Sequence, residues 1–85
     1  MTRILYQWQS MIVGDQIAVM ANCSDSSIVY RIGIRDKDGV VDYRQGSGNQ
    51  SHIFYIDVSG DYTVYVENRS STKTMRVTGR VSYPN

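Results

Sequence analysis

The chain has 85 residues, which is enough for one domain spanning 1–85 and too few for a second. Nine lysines and arginines against eight aspartates and glutamates give a net charge of +1, which argues against nucleic acid as a partner. No stretch is apolar for long enough to predict a membrane span, and a lone cysteine, Cys23, excludes an internal disulfide. A domain of this size has a thin core, which favours a binding or structural module over an enzyme.

Short runs of β-branched and aromatic residues alternate with polar ones from the start of the chain, and no helical periodicity interrupts them. Residues 3–13 predict a first strand, and a Gly14-Asp15 turn leads into a second strand at 16–21. One face of the first strand is expected to carry Ile4, Tyr6 and Trp8.

The clearest alternation lies in residues 28–35, which predict a third strand. Its inward side chains are expected to be Ile28, Tyr30, Ile32 and Ile34. Its outward positions are then Val29, Arg31, Gly33 and Arg35. The run Asp36–Gly39 is typical of a tight hairpin turn. A fourth strand is predicted at 40–44, followed by a flexible loop over 46–49.

The last third of the chain predicts three more strands, at 51–57, 62–67 and 74–83, with a turn at 59–61. About seven strands with a turn every 8–12 residues are typical of an all-β domain with two packed antiparallel sheets. We therefore predict a two-sheet sandwich of jelly-roll or immunoglobulin-like type, and a closed barrel of five to six strands is the alternative.

Three segments resemble the small secreted bacterial jelly-roll modules typified by pre-peptidase C-terminal domains. They are the inner strand at Val29–Ile34, the Asp36–Gly39 hairpin and above all the run Ser59–Asn68, SGDYTVYVEN. The resemblance implies an extracellular accessory module, of the kind that is appended to enzymes or displayed at the bacterial cell surface. It does not imply a particular ligand.

Catalytic and metal-binding residues are sparse. The only histidine, His52, lies in an alternating strand beside Phe54, where a structural role is expected, and we predict that the protein is not an enzyme. Asp36, Asp38 and Asp42 place three hard oxygen ligands within seven residues, which is the chemistry of calcium, but a hairpin turn is the favoured explanation of their spacing. We expect no cofactor, with calcium at these aspartates as the alternative.

An outward-facing group of arginines is the strongest candidate for a ligand site. The period of two sends Arg31 and Arg35 outward on one strand and Arg76 and Arg80 outward on the last, with Tyr65 outward on a third. If these strands share a sheet, they form a patch whose guanidinium groups can bind carboxylate, sulfate or phosphate. Trp8, which has glutamine on both sides, is a further candidate for stacking on a sugar, although a core position near an edge of the sandwich is the favoured interpretation.

The leading functional hypothesis is a secreted or cell-surface module, non-catalytic, that binds a glycan or an anionic cell-surface polymer. A second hypothesis is a structural module that forms homo-oligomers by pairing its edge strands, 3–13 or 74–83. A third is a small secreted bacteriocin-like protein. The expected location is extracellular, which would fit a start codon at Met1 added where a leader or an upstream region was removed.

Overall fold

A computed structural model describes residues 3–5 and 7–83 of the chain. The described residues form strands and connecting turns, and the strand segments are β1 (Arg3–Leu5), β2 (Gln9–Met11), β3 (Gln16–Cys23), β4 (Tyr30–Asp36), β5 (Gly39–Gly46), β6 (Asn49–Tyr55), β7 (Gly60–Asn68) and β8 (Val77–Ser82). Within this part of the chain no helix has the length and apolarity needed to cross a membrane.

Two antiparallel sheets make up the domain. Sheet one has the order β1-β7-β4-β5, and β2 also pairs with β7. Sheet two has the order β6-β3-β8. Among the described strands every ladder lies within one of these two sheets, so the sandwich is confirmed and the barrel does not close. The strands at 3–13 and 74–83, predicted as edges, do lie at edges.

The predicted first strand is interrupted. β1 pairs with β7, with Leu5 opposite Tyr65, and β2 pairs with β7 further along, with Gln9 opposite Tyr62. Both segments therefore lie on the same side of β7. Tyr6 lies outside the described residues, as does the side chain of Ile4, so their predicted shared face is not described. Trp8 follows β1 in the gap before β2 and is 43% exposed, which is not a core position.

The core is formed by the inward side chains of both sheets. Those predicted for the third strand, Ile28, Tyr30, Ile32 and Ile34, are all buried, as are Ile17 and Val19 from β3 and Phe54 from β6. β7 differs from the prediction, because Tyr65, which was expected to be an exposed outward residue, is buried, as are Thr63 and Glu67 on the same side of the strand. β7 is therefore an interior strand of sheet one that is buried on both faces over most of its length.

The predicted flexible loop at 46–49 is a tight corner. β5 ends at Gly46 and β6 begins at Asn49, so only Ser47 and Gly48 carry the chain from sheet one to sheet two. Gly48 has φ +65°, a left-handed conformation that glycine adopts without strain. The corner is held by the Tyr30 hydroxyl, which donates to the Gly48 carbonyl, and by the Cys23 amide, which donates to the same oxygen at 3.1 Å.

Candidate functional site

The four predicted arginines do not share a surface. Arg31 and Arg35 lie on β4 in sheet one, whereas Arg80 lies on β8 in sheet two. Arg76 precedes β8 and lines a separate recess of about 420 Å³ that Asp25 also lines. The prediction of a single patch assumed that the last strand joins the same sheet as β4. The last strand, β8, pairs with β3 in sheet two instead. The prediction of one arginine patch is corrected on this point.

Tyr65 lies on the outer side of sheet one but is only 2% exposed, so its ring is not available for stacking on a ligand. The ring lies against Gly33, where a Cβ atom would come within 2.6 Å of Tyr65 Cε1. On the other side of Gly33 the same Cβ atom would be 2.9 Å from Tyr43 Cβ. Two aromatic residues thus flank a glycine in mid-strand and restore the packing that it lacks.

Tyr43 and Gln45 on β5 are site residues that the sequence analysis missed. The Arg31 guanidinium carbon lies 4.4 Å from the centre of the Tyr43 ring, and Arg31 Nε donates to Gln45 Oε1 at 2.7 Å. Tyr43 is 41% exposed, so it takes the place predicted for Tyr65. Nε of Arg35 is buried and has no hydrogen-bond partner among the described residues. No sequence signal points to Tyr43 and Gln45, because a bulge between Ile34 and Arg35 sets the register that puts both residues on the same face as Arg31.

Trp8 lies near the hairpin end of sheet one. The Lys37 ammonium is 6.0 Å from the centre of its ring and also 3.3 Å from Asp61 Oδ2. The indole is therefore exposed beside Lys37, which is already paired with Asp61. Trp8 lies on the same sheet as Arg31, whereas Arg80 lies in the other sheet.

The candidate calcium ligands have other contacts. Asp36 Oδ1 accepts hydrogen bonds from the amides of Asp38 and Gly39, at 2.8 and 3.1 Å, and thereby holds the hairpin turn. Asp42 lies on the next strand and pairs with Arg44 at 3.3 Å. In the part of the chain that the structure describes, no three His, Cys, Asp or Glu side chains come close enough together to hold a metal ion.

His52 and Cys23 belong to the packing of sheet two. His52 is half-buried and meets the Phe54 ring edge to face, with 4.6 Å between ring centres. Cys23 is 2% exposed, and its thiol donates to the Asp25 carbonyl at 3.6 Å. These contacts describe structural roles for both side chains.

The outer side of sheet two is nearly free of charge. Its register places Tyr55 beside Gln16, Ile53 beside Ala18, and Ser51 beside Met20. We call this surface the sheet-two face, and its outward side chains are Gln16, Ala18, Met20, Asn22, Asn49, Ser51, Ile53, Tyr55, Thr78, Arg80 and Ser82. Arg80 is the only charged residue among them, although charged residues make up 20% of the chain.

A shallow open depression of about 680 Å³ lies at one end of this face. Two outward side chains from each strand line it: Met20 and Asn22, Asn49 and Ser51, Thr78 and Arg80. The volume lies in the range of small-molecule sites, which combine apolar contact with a few polar groups. Asparagine amides donate and accept, hydroxyls do both, and arginine only donates, so the depression can hydrogen-bond to a polyhydroxylated ligand from several directions.

Shifts in pKa occur away from this depression. The hydroxyl and amide of Ser27 donate to the Asp25 carboxylate and lower its pKa, and Lys73 acts in the same direction. Burial raises the pKa of the Tyr30 phenol, and burial also raises the pKa of Tyr62.

Compared with models of known protein families and with curated proteins, the chain matches none.

Proposed function

We propose that the domain is a non-catalytic binding module of the cell surface or extracellular space that holds a glycan on the sheet-two face. The observation that carries the proposal is the composition of the depression, in which neutral amides and hydroxyls surround one arginine. The proposed location rests on the resemblance of Ser59–Asn68 to secreted bacterial modules.

The chemistry of a sugar matches this face in two respects. Hydroxyl groups of a sugar exchange hydrogen bonds with amides and hydroxyls, here Asn22, Asn49 and Thr78. The C–H faces of a sugar ring pack on apolar and aromatic side chains, and Met20, Ile53 and Tyr55 are exposed by 53%, 43% and 61% along the same surface. An extended chain of sugars lying along β3 and β6 therefore meets both kinds of contact.

Arg80 indicates a preference for an acidic glycan. A guanidinium group binds carboxylate or sulfate through two parallel hydrogen bonds, and no acidic side chain on this face competes for it. A uronic acid or sulfated polymer thus fits better than a neutral one. Since the site is open to solvent, the contribution of the Arg80 charge to the affinity is expected to fall as the salt concentration rises.

The proposal is tested by a glycan array followed by calorimetric titration of the best ligand. We expect R80A to weaken binding about tenfold or more, the loss of one charge-assisted hydrogen-bond pair. R31A is the control, because it also removes one arginine, but from the opposite sheet, and it is expected to keep the affinity. Binding that survives R80A and is lost in R31A would place the ligand on sheet one and refute the proposal.

A further inference from the structure

β5 forms an open edge of sheet one and is uncovered on both faces. Val41 and Tyr43 are 48% and 41% exposed, and the side chains of Asp42 and Arg44 are 49% and 51% exposed. Its ladder to β4 occupies one side, and the other side pairs with no strand of the described chain. An edge of eight residues without proline is a template for a further strand.

The backbone groups of Tyr43, at the middle of this edge, hydrogen-bond to side chains of their own strand. The Tyr43 amide donates to Asp42 Oδ1 at 2.8 Å, and the Tyr43 carbonyl accepts from Arg44 Nη1 at 2.9 Å. The two side chains also pair with each other at 3.3 Å. Both backbone groups of Tyr43 therefore face the open edge, as they must to form a hydrogen-bonded pair with an incoming antiparallel strand.

The order of charges around Tyr43 is complementary to itself. If a second β5 pairs antiparallel with Tyr43 opposite Tyr43, then Asp42 of each copy stands opposite Arg44 of the other, and Val41 opposite Gln45. Directly opposed unlike charges stabilise an antiparallel pair. In the dimer, the ion pair between Asp42 and Arg44 of one copy gives way to two ion pairs between Asp42 of one copy and Arg44 of the other. The exposed ion pair of each monomer is therefore replaced by an equivalent one.

We propose that two copies of this chain associate through the open edges of β5, on a two-fold axis at Tyr43. The interface is isologous, since each residue and its partner exchange places under the symmetry. It is a single strand pair, smaller than a standard protein interface, so the dimer is expected to form in the micromolar to millimolar range. The inference does not depend on the proposed glycan site, which lies on the other sheet.

Sedimentation equilibrium of the wild type, D42R and R44D tests the proposal. The wild type is expected to shift from one chain mass toward two as its concentration rises. Each variant opposes like charges across the axis and is expected to remain monomeric, whereas an equimolar mixture of the two restores both opposite-charge pairs and is expected to dimerise. K37E is the matched control, because it breaks the exposed pair with Asp61 away from this edge and should leave the dimer intact.

A wild type that stays monomeric at millimolar concentration would overturn the proposal. So would dimers that persist unchanged in D42R and R44D, because they would have to form elsewhere. Circular dichroism verifies that the variants are folded. If they are not, hydrogen exchange in the wild type decides the matter, since the Tyr43 amide must become more protected as concentration rises, and exchange that does not change with concentration contradicts pairing at β5.

Discussion

Gly33 shows how one missing side chain organises the outer side of sheet one. Tyr65 and Tyr43 close over it from neighbouring strands, and the backbone oxygen of Asp42 would lie only 2.6 Å from a Cβ atom at this position. Tyr65 is buried in this arrangement, whereas Tyr43, on the edge strand β5, stays 41% exposed. A residue that sequence alternation marks as an ordinary outward position is therefore a packing site.

We predict that G33A destabilises the domain by about 1–3 kcal/mol, because the added methyl group displaces backbone and ring atoms that cannot all move away. G60A is the matched control, since no atom lies within 4 Å of a Cβ atom there and its φ is not positive. Urea unfolding followed by tryptophan fluorescence measures both variants. Equal midpoints for G33A and the wild type would show that the close approach does not exist.

At the scale of the elements, the corner between β5 and β6 links the two sheets. The Tyr30 hydroxyl bonds to the Gly48 carbonyl, and Gln50 Nε2 donates to the Tyr30 carbonyl at 3.0 Å. Burial raises the pKa of the Tyr30 phenol and also that of Tyr62, whose hydroxyl donates to the Val58 carbonyl. Both phenols are thus held in their neutral form at junctions of the sandwich.

Stability is predicted to fall as pH rises above about 10. Above the unfolded pKa the unfolded chain releases the tyrosine protons while the folded chain retains them, so the free energy of unfolding decreases with pH. Urea unfolding between neutral pH and pH near 11 measures the slope. Y30F should make it shallower, whereas Y55F, at an exposed position, should leave it unchanged. A slope that Y30F does not alter would contradict the account.

The existence of the strands and their positions along the chain could be predicted from alternation and turn residues, but the register of β5 could not. Counting outward from the Asp36–Gly39 turn pairs Arg31 with Arg44 and makes Tyr43 face the core with Ile32. A bulge between Ile34 and Arg35 shifts this register by one, so Arg31 stands opposite Gln45 instead. One extra residue in a strand moves the side chains that follow it to the opposite face. No residue type in 39–42 indicates that a bulge is present.

The assignment of β8 to a sheet could not be predicted either. Its alternation marks Val77 and Val81 as inward, and both do pack against the core. Alternation carries no information on which sheet a strand joins, because inward residues of both sheets meet in one core. This is why Arg80 was expected beside Arg31 and lies on the opposite side of the domain.

At the scale of the whole molecule, the sandwich presents two unlike outer surfaces. Sheet one carries Arg31, Tyr43 and the Lys37–Asp61 pair, whereas the sheet-two face carries neutral polar and apolar side chains around Arg80. In an antiparallel pair on β5 the two-fold axis is perpendicular to sheet one, so both sheet-two faces would point to the same side. A dimer would then present both copies of the proposed glycan site to one surface, and the paired sites would gain avidity.

The most direct test of the central claim is a titration of the ¹⁵N-labelled protein with an oligosaccharide of uronic acids, followed by amide chemical shifts. The proposed glycan site predicts shift changes that cluster at the lining of the depression, at Met20, Asn22, Asn49, Ser51, Thr78 and Arg80. Amides of β4 and β7 should remain unchanged. Changes confined to β4, β5 and β7, or no change at saturating oligosaccharide, would contradict it.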